Sequence, residues 1–286
     1  MKPISEVLIT GGSGFIGQAV VAECVKRGIY ARVFDRVTGG DVRDAMAVDD
    51  AAHGAQAVIH LAGVLGTAEL FDDAERAIDV NVKGALNVLQ ACRRHGAGFV
   101  GISMPDCWAN VYQATKGCAK RLATAWHQNF GVPVSHVRAF NAYGPGQKWG
   151  PGHPQKIVPT FATLAWQGKP LPVWGDGSQT VDMVHSGDIA RMLVDATGYG
   201  DDQTFDAGTG QAKTVLGIAR KILEIAGVDG IDAIEFLPMR AGETPTTLTC
   251  ATGQGWDVLG WCPDWSEERF REVVEGYRQE ALAAVA

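Results

Sequence analysis

Residues 7–17 of the chain read Val7-Leu8-Ile9-Thr10-Gly11-Gly12-Ser13-Gly14-Phe15-Ile16-Gly17. Four residues suited to a buried strand run into glycines spaced G-x-x-G-x-x-G, and an apolar helical stretch, Phe15 to Arg27, follows and stops at Gly28. Glycine permits the backbone angles of a tight turn and lets the main chain approach a phosphate closely. The free N–H groups and the dipole at a helix start favour an anion. The stretch therefore predicts a strand, a turn and a helix that together bind the pyrophosphate of a dinucleotide.

The next predicted strand ends on an acidic residue. Ala31 to Phe34 is followed by Asp35, about 20 residues beyond the glycines, where a carboxylate contacts the adenosine ribose hydroxyls of a dinucleotide. An ordinary strand–helix turn that needs glycine is the alternative, and Asp35 at this distance counts against it. Arg36 offers a contact to the 2′-phosphate of NADP, but an acid at the strand end repels that phosphate. The sequence therefore favours NAD over NADP.

Composition excludes several classes of protein. The 286 residues are 46% hydrophobic and 20% charged, as in ordinary globular proteins. The net charge of −7 gives no electrostatic footprint for nucleic acid or an anionic membrane. No apolar run approaches the ~20 residues of a membrane helix, and residues 1–6 lack the apolar core of a signal peptide. The six cysteines show neither metal-ligand spacing nor the density of a disulfide scaffold. We therefore expect a cytoplasmic protein with reduced thiols and no metal.

Apolar strands alternate with helices through the first half of the chain. The pattern predicts strands at Ala57–Gly63 and Phe99–Ser103, and helices from Asn81 to about Gly96 and from Tyr112 to about Phe130. This alternation is typical of an α/β fold with a doubly wound parallel sheet. The end of the Ala57–Gly63 strand would lie beside the glycine turn, where ligands bind in such folds.

Tyr112 and Lys116 are four residues apart and so share one face of the predicted helix. A nearby ammonium lowers the pKa of a phenol from ~10, so we expect the tyrosinate to be accessible near neutral pH. Such a phenol can take a proton from a sugar or alcohol hydroxyl while hydride leaves the same carbon for nicotinamide. The Y-x-x-x-K spacing is common by chance, but here it follows a dinucleotide-binding turn and a strand ending in Ser103. We therefore predict a catalytic tyrosine and lysine.

Together these features resemble the extended short-chain dehydrogenases/reductases of the NAD-dependent epimerase/dehydratase type, whose members mostly act on nucleotide-activated sugars. The resemblance covers nearly the whole chain. Besides the glycine motif and the Tyr112/Lys116 pair, its marks are Asp41-Val42, His60-Leu61-Ala62-Gly63, Asn81, Arg138-Ala139-Phe140-Asn141-Ala142-Tyr143-Gly144-Pro145, Gly175-Asp176-Gly177, Val184-His185-Ser186-Gly187-Asp188, Arg240-Ala241-Gly242-Glu243 and Leu259-Gly260-Trp261-Cys262-Pro263.

The resemblance implies roles for these residues. Phe140 and Asn141 would face the nucleotide sugar, with Arg240 on its diphosphate, since a guanidinium fork suits phosphate oxygens. A turn-forming Asn141 and a solvated Arg240 are the alternatives. Catalysis would rest on Tyr112, Lys116 and Ser103. The residues implied to bind NAD are Gly11, Gly14, Phe15, Ile16, Gly17, Asp35, Arg36, Asp41, Val42, Leu61, Ala62, Gly63, Asn81, Tyr112 and Lys116, with Asp41 and Val42 beside the adenine. His60 and His185 are interpreted as packing residues.

The resemblance also implies two lobes with the substrate between them. Residues 1–138, joined by about 182–205, would form an NAD-binding Rossmann domain. Residues 139–180 and 210–286 would form a smaller C-terminal α/β substrate-binding lobe.

A homodimer is expected as well, because family members often dimerise through the helices that match residues 81–95 and 112–130. The apolar side chains available for such an interface are Val88, Leu89, Leu122 and Trp126. The alternative is that these side chains face the sheet.

The chain departs from the family's pattern at three places. Ser103-Met104 stands where the family has Ser-Ser or Ser-Thr, so a thioether takes the usual hydroxyl position unless the loop shifts by one residue. Only eight residues separate Ser103 from Tyr112, which predicts a less covered site. Val181-Asp182 replaces an Arg-Asp pair, so one diphosphate contact is missing.

These departures bear on the reaction. Dehydratases of the family carry an acid pair just after the Ser/Thr, and here Pro105-Asp106-Cys107 stands at that place. Asp106 as acid and Cys107 as base are candidates, although a turn-forming Pro-Asp is the simpler interpretation. We therefore favour an NAD-dependent nucleotide-sugar 4-epimerase over a dehydratase or reductase of the same family. A non-catalytic NAD-binding regulator is the alternative from another class.

Overall fold

A computed structural model describes residues 4–150, 153–228, 233–243 and 250–284 of the chain. Its strands are β1 (Glu6–Thr10), β2 (Tyr30–Phe34), β3 (Ala57–His60), β4 (Gly98–Ser103), β5 (Val134–Ala139), β6 (Asn141–Tyr143), β7 (Leu171–Trp174), β8 (Thr180–His185), β9 (Asp201–Ala207), β10 (Ala212–Thr214) and β11 (Ile234–Leu237). Its α-helices are α1 (Phe15–Lys26), α2 (Ala45–Ala52), α3 (Ala74–Ala77), α4 (Gly84–His95), α5 (Val111–Phe130), α6 (Ile157–Trp166), α7 (Ser186–Ala196), α8 (Val215–Ala226), α9 (Trp256–Leu259), α10 (Glu267–Gly276) and α11 (Arg278–Ala283). None of the helices in these ranges combines the length and the apolar character that crossing a bilayer requires.

Six parallel strands form the central sheet, in the order β2-β1-β3-β4-β5-β9. The chain starts at β1, moves out to β2 and then crosses back over β1 to β3. The strand order therefore reverses beside β1, and the glycine turn that follows β1 lies at this switch point, where open α/β sheets bind ligands. The predicted doubly wound parallel sheet is confirmed.

Strand β1 shows why this sheet is buried on both faces. Its central residues are apolar without interruption, as expected of a strand covered by helices on each side. Val7 and Ile9 pack in the core on the side of α1 and α7. Leu8 points to the opposite core, on the side of α2 and α4. The alternation of successive side chains thus joins the two cores through one strand.

A third core lies in the C-terminal half of the chain. Tyr143, Phe161 and Phe270 are almost fully buried there, and apolar residues of α6, α8 and α10 pack around them. Two small sheets belong to this half, β10-β8-β6 and β11-β7. Of the segment expected to return to the first lobe, α7 packs against α1 and β9 joins the central sheet, whereas β8 lies in a small sheet. The two-lobe division stays a prediction.

The predicted element ends need small corrections. The strand expected through Gly63 ends at His60, and the helix expected from Asn81 is preceded by a π-helical turn, Ile78–Lys83, with α4 beginning at Gly84. Val88 and Leu89 are fully buried against the sheet, so these two side chains are not available to a partner subunit. Leu122 and Trp126 are partly buried against the same core. The homodimer stays a prediction that this geometry does not test.

Asp182 holds three segments of the C-terminal half together. Its carboxylate is fully buried and accepts hydrogen bonds from the N–H groups of Thr209 (2.8 Å), Gly210 (2.9 Å) and Ala251 (3.0 Å). The Thr209 hydroxyl donates a further bond at 2.6 Å. Four donors compensate for the loss of water around a buried charge. Asp182 is thus explained as a structural residue.

We expect Asp182→Asn to lower the free energy of unfolding by about 3 kcal/mol, because an amide NH2 would face N–H donors and the buried charge-assisted bonds would be lost. Equilibrium urea unfolding measures this loss. Asp176→Asn is the matched control, since Asp176 is exposed and its carboxylate accepts, among the described residues, from Ser178, 2.9 Å from the N–H and 2.6 Å from the hydroxyl. Equal stability of the two variants would contradict the structural role of Asp182.

Candidate active site

The glycine turn joins β1 to α1 by a very close backbone contact. A Cβ on Gly17 would lie 2.2 Å from the carbonyl oxygen of Gly11, and Gly11 itself has a φ of +74°. Gly14, which begins α1, carries no side chain to cap the helix. The N–H groups of Phe15, Ile16 and Gly17 accordingly donate to no described residue. They form an anion-binding helix start of the kind that takes a pyrophosphate.

A cleft of about 350 Å³ opens in front of this helix start; we call it the glycine cleft. It lies at the carboxyl end of the central sheet. Among its lining residues are all those predicted to bind NAD except Asn81, namely Gly11, Gly14, Phe15, Ile16, Gly17, Asp35, Arg36, Asp41, Val42, Leu61, Ala62, Gly63, Tyr112 and Lys116. The free N–H groups at the helix start can donate to a pyrophosphate, and the carboxylate at the end of β2 can accept from ribose hydroxyls. The cleft therefore fits a dinucleotide.

Asp35 connects the second strand to the glycine turn. One of its carboxylate oxygens accepts from the Ser13 N–H and the other from the Val37 N–H, each at 3.0 Å. Each oxygen retains a further acceptor position, since a carboxylate oxygen has two. Asp35 can therefore hold the turn and still accept from a ribose hydroxyl.

Asp41 lines the glycine cleft and forms an ion pair with Arg43. The Asp41 carboxylate accepts from the Arg43 guanidinium, with Nε 3.0 Å and Nη2 2.5 Å from the carboxylate. This hydrogen bonding lowers the pKa of Asp41 to about 2. Arg43 also lines the cleft, although no motif in the sequence pointed to it.

Asn81 is the predicted cofactor residue that the structure does not bring to the cleft. It lies in the π-helical turn, is 2% exposed, and hydrogen-bonds Val64 through both its amide oxygen (2.8 Å) and its amide nitrogen (3.1 Å). Its amide nitrogen also donates to the Thr115 hydroxyl at 3.1 Å. Asn81 therefore fixes the loop after β3 to the helix that carries Tyr112 and Lys116.

A second cleft of about 240 Å³, which we call the tyrosine cleft, adjoins the first. Tyr112 and Lys116 line both clefts. Burial raises the pKa of Tyr112 to about 12 and lowers the pKa of Lys116 to about 8. The expected lowering of the pKa of Tyr112 is therefore wrong for the protein alone, because the removal of the phenol from water dominates its ionisation.

Three further predicted residues, Ser103, Phe140 and Asn141, line the tyrosine cleft, and so does Met104. Ser103 is 8% exposed, and its hydroxyl has no hydrogen-bond partner among the described residues. Buried hydroxyls are rarely left unpaired unless a ligand or water completes them. Ser103 and Met104 thus both line this cleft, and the Ser103 hydroxyl is available to a ligand.

The two candidates for a dehydratase acid pair lie elsewhere. Asp106 lines an outer cleft of about 990 Å³ that runs along α5 and reaches Ser103 and Lys116. The outer cleft agrees with the expectation that the short loop between Ser103 and Tyr112 leaves the site less covered. Cys107 lines neither the tyrosine cleft nor the outer cleft, and burial raises the pKa of its thiol. Among the described residues that line the tyrosine cleft there is no carboxylate, imidazole or thiol.

Arg240 was expected to contact the substrate diphosphate, and in the structure it is paired within the protein. Its guanidinium forms a bidentate ion pair with Glu243 and stacks over the Trp174 ring at 4.5 Å from the ring centroid. It lines neither the glycine cleft nor the tyrosine cleft. Two residues that sequence reasoning missed, Gln147 and Lys156, do line the tyrosine cleft. No motif in the sequence singles them out.

Both histidines are packing residues, as predicted. His60 is 3% exposed and its Nδ1 lies 2.7 Å from the Thr10 hydroxyl, and burial lowers its pKa to about 3. His185 precedes α7 and accepts the Gly187 N–H through Nδ1 at 3.0 Å. Burial lowers its pKa to about 4. Both side chains are therefore neutral at physiological pH and committed to local contacts.

Comparison with known proteins agrees with this geometry. Residues 7–206 match the NAD dependent epimerase/dehydratase family. The low-salt glycan biosynthesis protein Agl12 of Haloferax volcanii is 29% identical over 95% of this chain and 98% of its own length. The dTDP-glucose 4,6-dehydratase of Streptomyces niveus is 28% identical over 95% of this chain and 92% of its own. The UDP-glucose 4-epimerase of Thermus thermophilus, solved with NAD, superimposes with a TM-score of 0.83 at 26% identity, covering 96% of this chain and 99% of that one.

The chain therefore belongs to the NAD-dependent epimerase/dehydratase family, a family of enzymes that use NAD. The fold and the cofactor expected from the sequence are confirmed. The similar proteins include both an epimerase and a 4,6-dehydratase.

We expect Lys116→Met to raise the free energy of unfolding of the NAD-free protein at pH 7. The lowering of the pKa from its usual value near 10.5 to about 8 corresponds to a penalty of the order of 3 kcal/mol on the charged form in the folded state. The folded state binds fewer protons than the unfolded state between these two values, so wild-type stability should rise from pH 8 to about 10.5. The variant should lack this rise and should lose its stabilisation by NAD.

Urea unfolding across this pH range, with and without NAD, measures both effects. Lys83→Met is the control, because Lys83 is exposed on the π-helical turn and should change the stability little. A Lys116→Met protein that unfolds at lower urea concentration than the wild type at pH 7 would show that the buried ammonium is not destabilising.

Proposed function

We propose that the protein is a nucleotide-sugar 4-epimerase. The observation that carries this proposal is the position of Tyr112 and Lys116 where the two clefts meet, in a tyrosine cleft lined by no described carboxylate, imidazole or thiol. Loss of water from a sugar needs an acid and a base beside the leaving hydroxyl. Epimerisation by oxidation and re-reduction of one sugar carbon needs only one group that exchanges a proton with the oxygen on that carbon.

Tyr112 would act as that group. Bound in the glycine cleft, NAD would supply the hydride acceptor and donor and, in its oxidised form, a positive charge. This charge and the ammonium of Lys116 would lower the pKa of Tyr112 from about 12 towards neutrality. The phenolate takes the proton of the sugar hydroxyl and later returns it to the same oxygen, so the enzyme is regenerated without an external reductant.

Ser103 would hold the reacting oxygen during this transfer. Ser103 lines the tyrosine cleft, its buried hydroxyl has no partner among the described residues, and it can donate to the oxygen on which negative charge develops. Phe140 and Asn141 would contact the sugar nucleotide from the other side. After oxidation the ketone must turn to present its other face, and the connection of Ser103 and Lys116 to the outer cleft leaves room for this movement.

A 4,6-dehydratase is the second candidate. It is favoured by the similarity to the dehydratase of Streptomyces niveus and by the position of Asp106. The Asp106 carboxylate accepts from the Gln113 side chain at 3.3 Å, and Gln113 lines the tyrosine cleft. A substrate that extends into the outer cleft would meet this carboxylate.

The test is proton NMR of the purified protein with UDP-, GDP- and dTDP-sugars in deuterated water. We expect the configuration at C4 of one sugar to invert without incorporation of deuterium, because the hydrogen returns to the carbon as hydride. Tyr112→Phe should reduce the rate by about 10²-fold or more, since the proton-transfer group is removed.

Three outcomes would contradict the proposal. A 4-keto-6-deoxy sugar carrying deuterium would identify a dehydratase and give Asp106 the acid role. Full activity of Tyr112→Phe would exclude the proton transfer described above. A protein that keeps NAD and converts no sugar of the panel would favour a non-catalytic regulator.

Ser103→Ala should lower kcat by about 10²-fold, the effect of removing one donor to a developing oxyanion, and should leave the NAD content unchanged. Steady-state kinetics on the sugar found by NMR provides the measurement. The double variant Ser103→Ala/Met104→Thr is the matched comparison. Recovery of activity in the double variant would place the required hydroxyl at position 104 instead of 103.

A further inference from the structure

The outer cleft continues the space of the tyrosine cleft. Among the described residues, those that line both cavities are Ser103, Met104, Trp108, Asn110, Gln113 and Lys116. The outer cleft, at about 990 Å³, is larger than the tyrosine cleft, at about 240 Å³, and its volume is typical of cavities that hold small-molecule ligands. A group attached to a sugar beside Tyr112 can therefore extend out of the tyrosine cleft and along α5.

The outer cleft carries an excess of positive charge. Among the described residues that line it, the acid is Asp106 and the cations are Lys116, Lys120, Arg121 and Arg138. Arg138 is paired with the fully buried carboxylate of Asp206, with Nη2 2.6 Å from Oδ1. Lys116 belongs to the proposed catalytic pair. Lys120 and Arg121 are therefore the cations available to a further group.

The ammonium of Lys120 is half-buried, and its described hydrogen-bond partner is neutral. It donates to the Thr204 hydroxyl at 3.2 Å. Burial lowers the pKa of Lys120, Arg138 lowers it further, and Asp202 and Asp206 oppose the lowering. Both of these carboxylates already accept hydrogen bonds from other side chains. A partly buried ammonium with no ion pair among the described residues is unfavourable unless a ligand supplies the opposite charge.

Gly117 leaves open space at the wall of the cleft that α5 forms. It lies inside this 20-residue helix, and a Cβ there would contact nothing within 4 Å apart from its own helix backbone. Glycine inside a helix is destabilising relative to alanine, and no packing among the described residues requires it here. Arg121 follows four residues later on the same face, is exposed and has no described partner. This face therefore combines open space with a free guanidinium.

We propose that Lys120 and Arg121 bind an anionic group in the outer cleft. The inference rests on the proposed function, because it takes the reacting sugar to lie beside Tyr112. Two sources supply such an anion: a carboxylate carried by the reacting sugar, or a separate small anion such as phosphate. The four residues from Lys116 to Lys120 correspond to about 6 Å along α5. We therefore expect a carboxylate on a short side chain of the sugar, beyond the ring itself.

The experiment is isothermal titration calorimetry of the NAD-loaded protein with four probes. UDP-N-acetylglucosamine and UDP-N-acetylmuramate form a matched pair, since the second adds a lactyl side chain that ends in a carboxylate. UDP-glucuronate carries its carboxylate directly on the ring, and inorganic phosphate is a separate anion.

We expect the double variant Lys120→Met/Arg121→Met to raise the Kd of UDP-N-acetylmuramate by about 10- to 100-fold, as for the loss of hydrogen bonds to a charged group. The Kd of UDP-N-acetylglucosamine should stay unchanged, because it carries no anion on the sugar. Arg220→Met is the control, since Arg220 is exposed on α8 and lines neither the outer cleft nor the tyrosine cleft.

Gly117→Leu tests the cavity without a change of charge. The leucine side chain would occupy the open space on the face that carries Arg121, so we expect the same selective loss for UDP-N-acetylmuramate. Gly276→Leu is its control, because Gly276 lies in α10, likewise has nothing within 4 Å of a Cβ, and lines neither of the two clefts. Thermal unfolding of each variant confirms that the fold is retained.

The pattern of losses identifies the source of the anion. A loss confined to UDP-N-acetylmuramate, or shared with UDP-glucuronate, supports an anion carried by the sugar. Phosphate binding that the double variant abolishes supports the same site with a separate anion as its occupant. Unchanged Kd values in the double variant, an equal loss for UDP-N-acetylglucosamine, or no binding of any probe to the wild type would overturn the inference.

The failure of this inference and the failure of the epimerase proposal are distinguishable. Binding that depends on Lys120 and Arg121 in a protein that inverts no sugar would leave the anion site standing without the epimerase. A working epimerase whose ligand affinities ignore both residues would leave the epimerase standing and remove the anion site.

Discussion

The close contact between Gly17 and the carbonyl oxygen of Gly11 is the constraint on which the site depends. At 2.2 Å from that oxygen, the position of a Cβ is closed to every residue except glycine. The contact sets the start of α1 against the end of β1, so the free N–H groups of Phe15, Ile16 and Gly17 face the edge of the sheet. Asp35, hydrogen-bonded to Ser13, then fixes the second strand to the same turn. The predicted NAD site is therefore formed mainly by the main chain of this turn and not by catalytic side chains.

At the tyrosine cleft, several buried polar groups have no hydrogen-bond or ion-pair partner among the described residues. The ammonium groups of Lys116 and Lys156 and the hydroxyl of Ser103 are withdrawn from water at the tyrosine cleft without described partners that satisfy them. By contrast, the buried charge of Asp182 is satisfied by four donors. The contrast follows from function, since a group already paired within the protein cannot bind a ligand without first breaking that pair. Arg240 is already ion-paired with Glu243, so this pair would have to open before Arg240 could bind a ligand.

Sequence reasoning was most successful where a local pattern reports directly on the backbone. The glycine spacing, the acid at position 35 and the Tyr112/Lys116 spacing each place a residue on a known element, and the structure brings them to one sheet edge. It was least successful for residues whose role depends on distant partners. Asn81 was predicted to bind the cofactor; it bonds to Val64 and Thr115 and does not line the glycine cleft, and its cofactor role stays a prediction. The pKa of Tyr112 was expected to fall, but burial of the phenol, which no spacing reveals, raises it.

The sequence by itself determined the α/β class, the parallel sheet, the glycine turn after β1 and the family, because each is encoded by neighbouring residues or by the period of apolar side chains. Only the tertiary structure decided which polar groups remain free at the clefts. Lys156 and Gln147 lie in loops with no motif of their own, and Arg240 differs from them because it forms an ion pair with Glu243. Whether a charged side chain is free or paired depends on contacts between residues far apart in the chain, and such contacts exist only once the chain has folded.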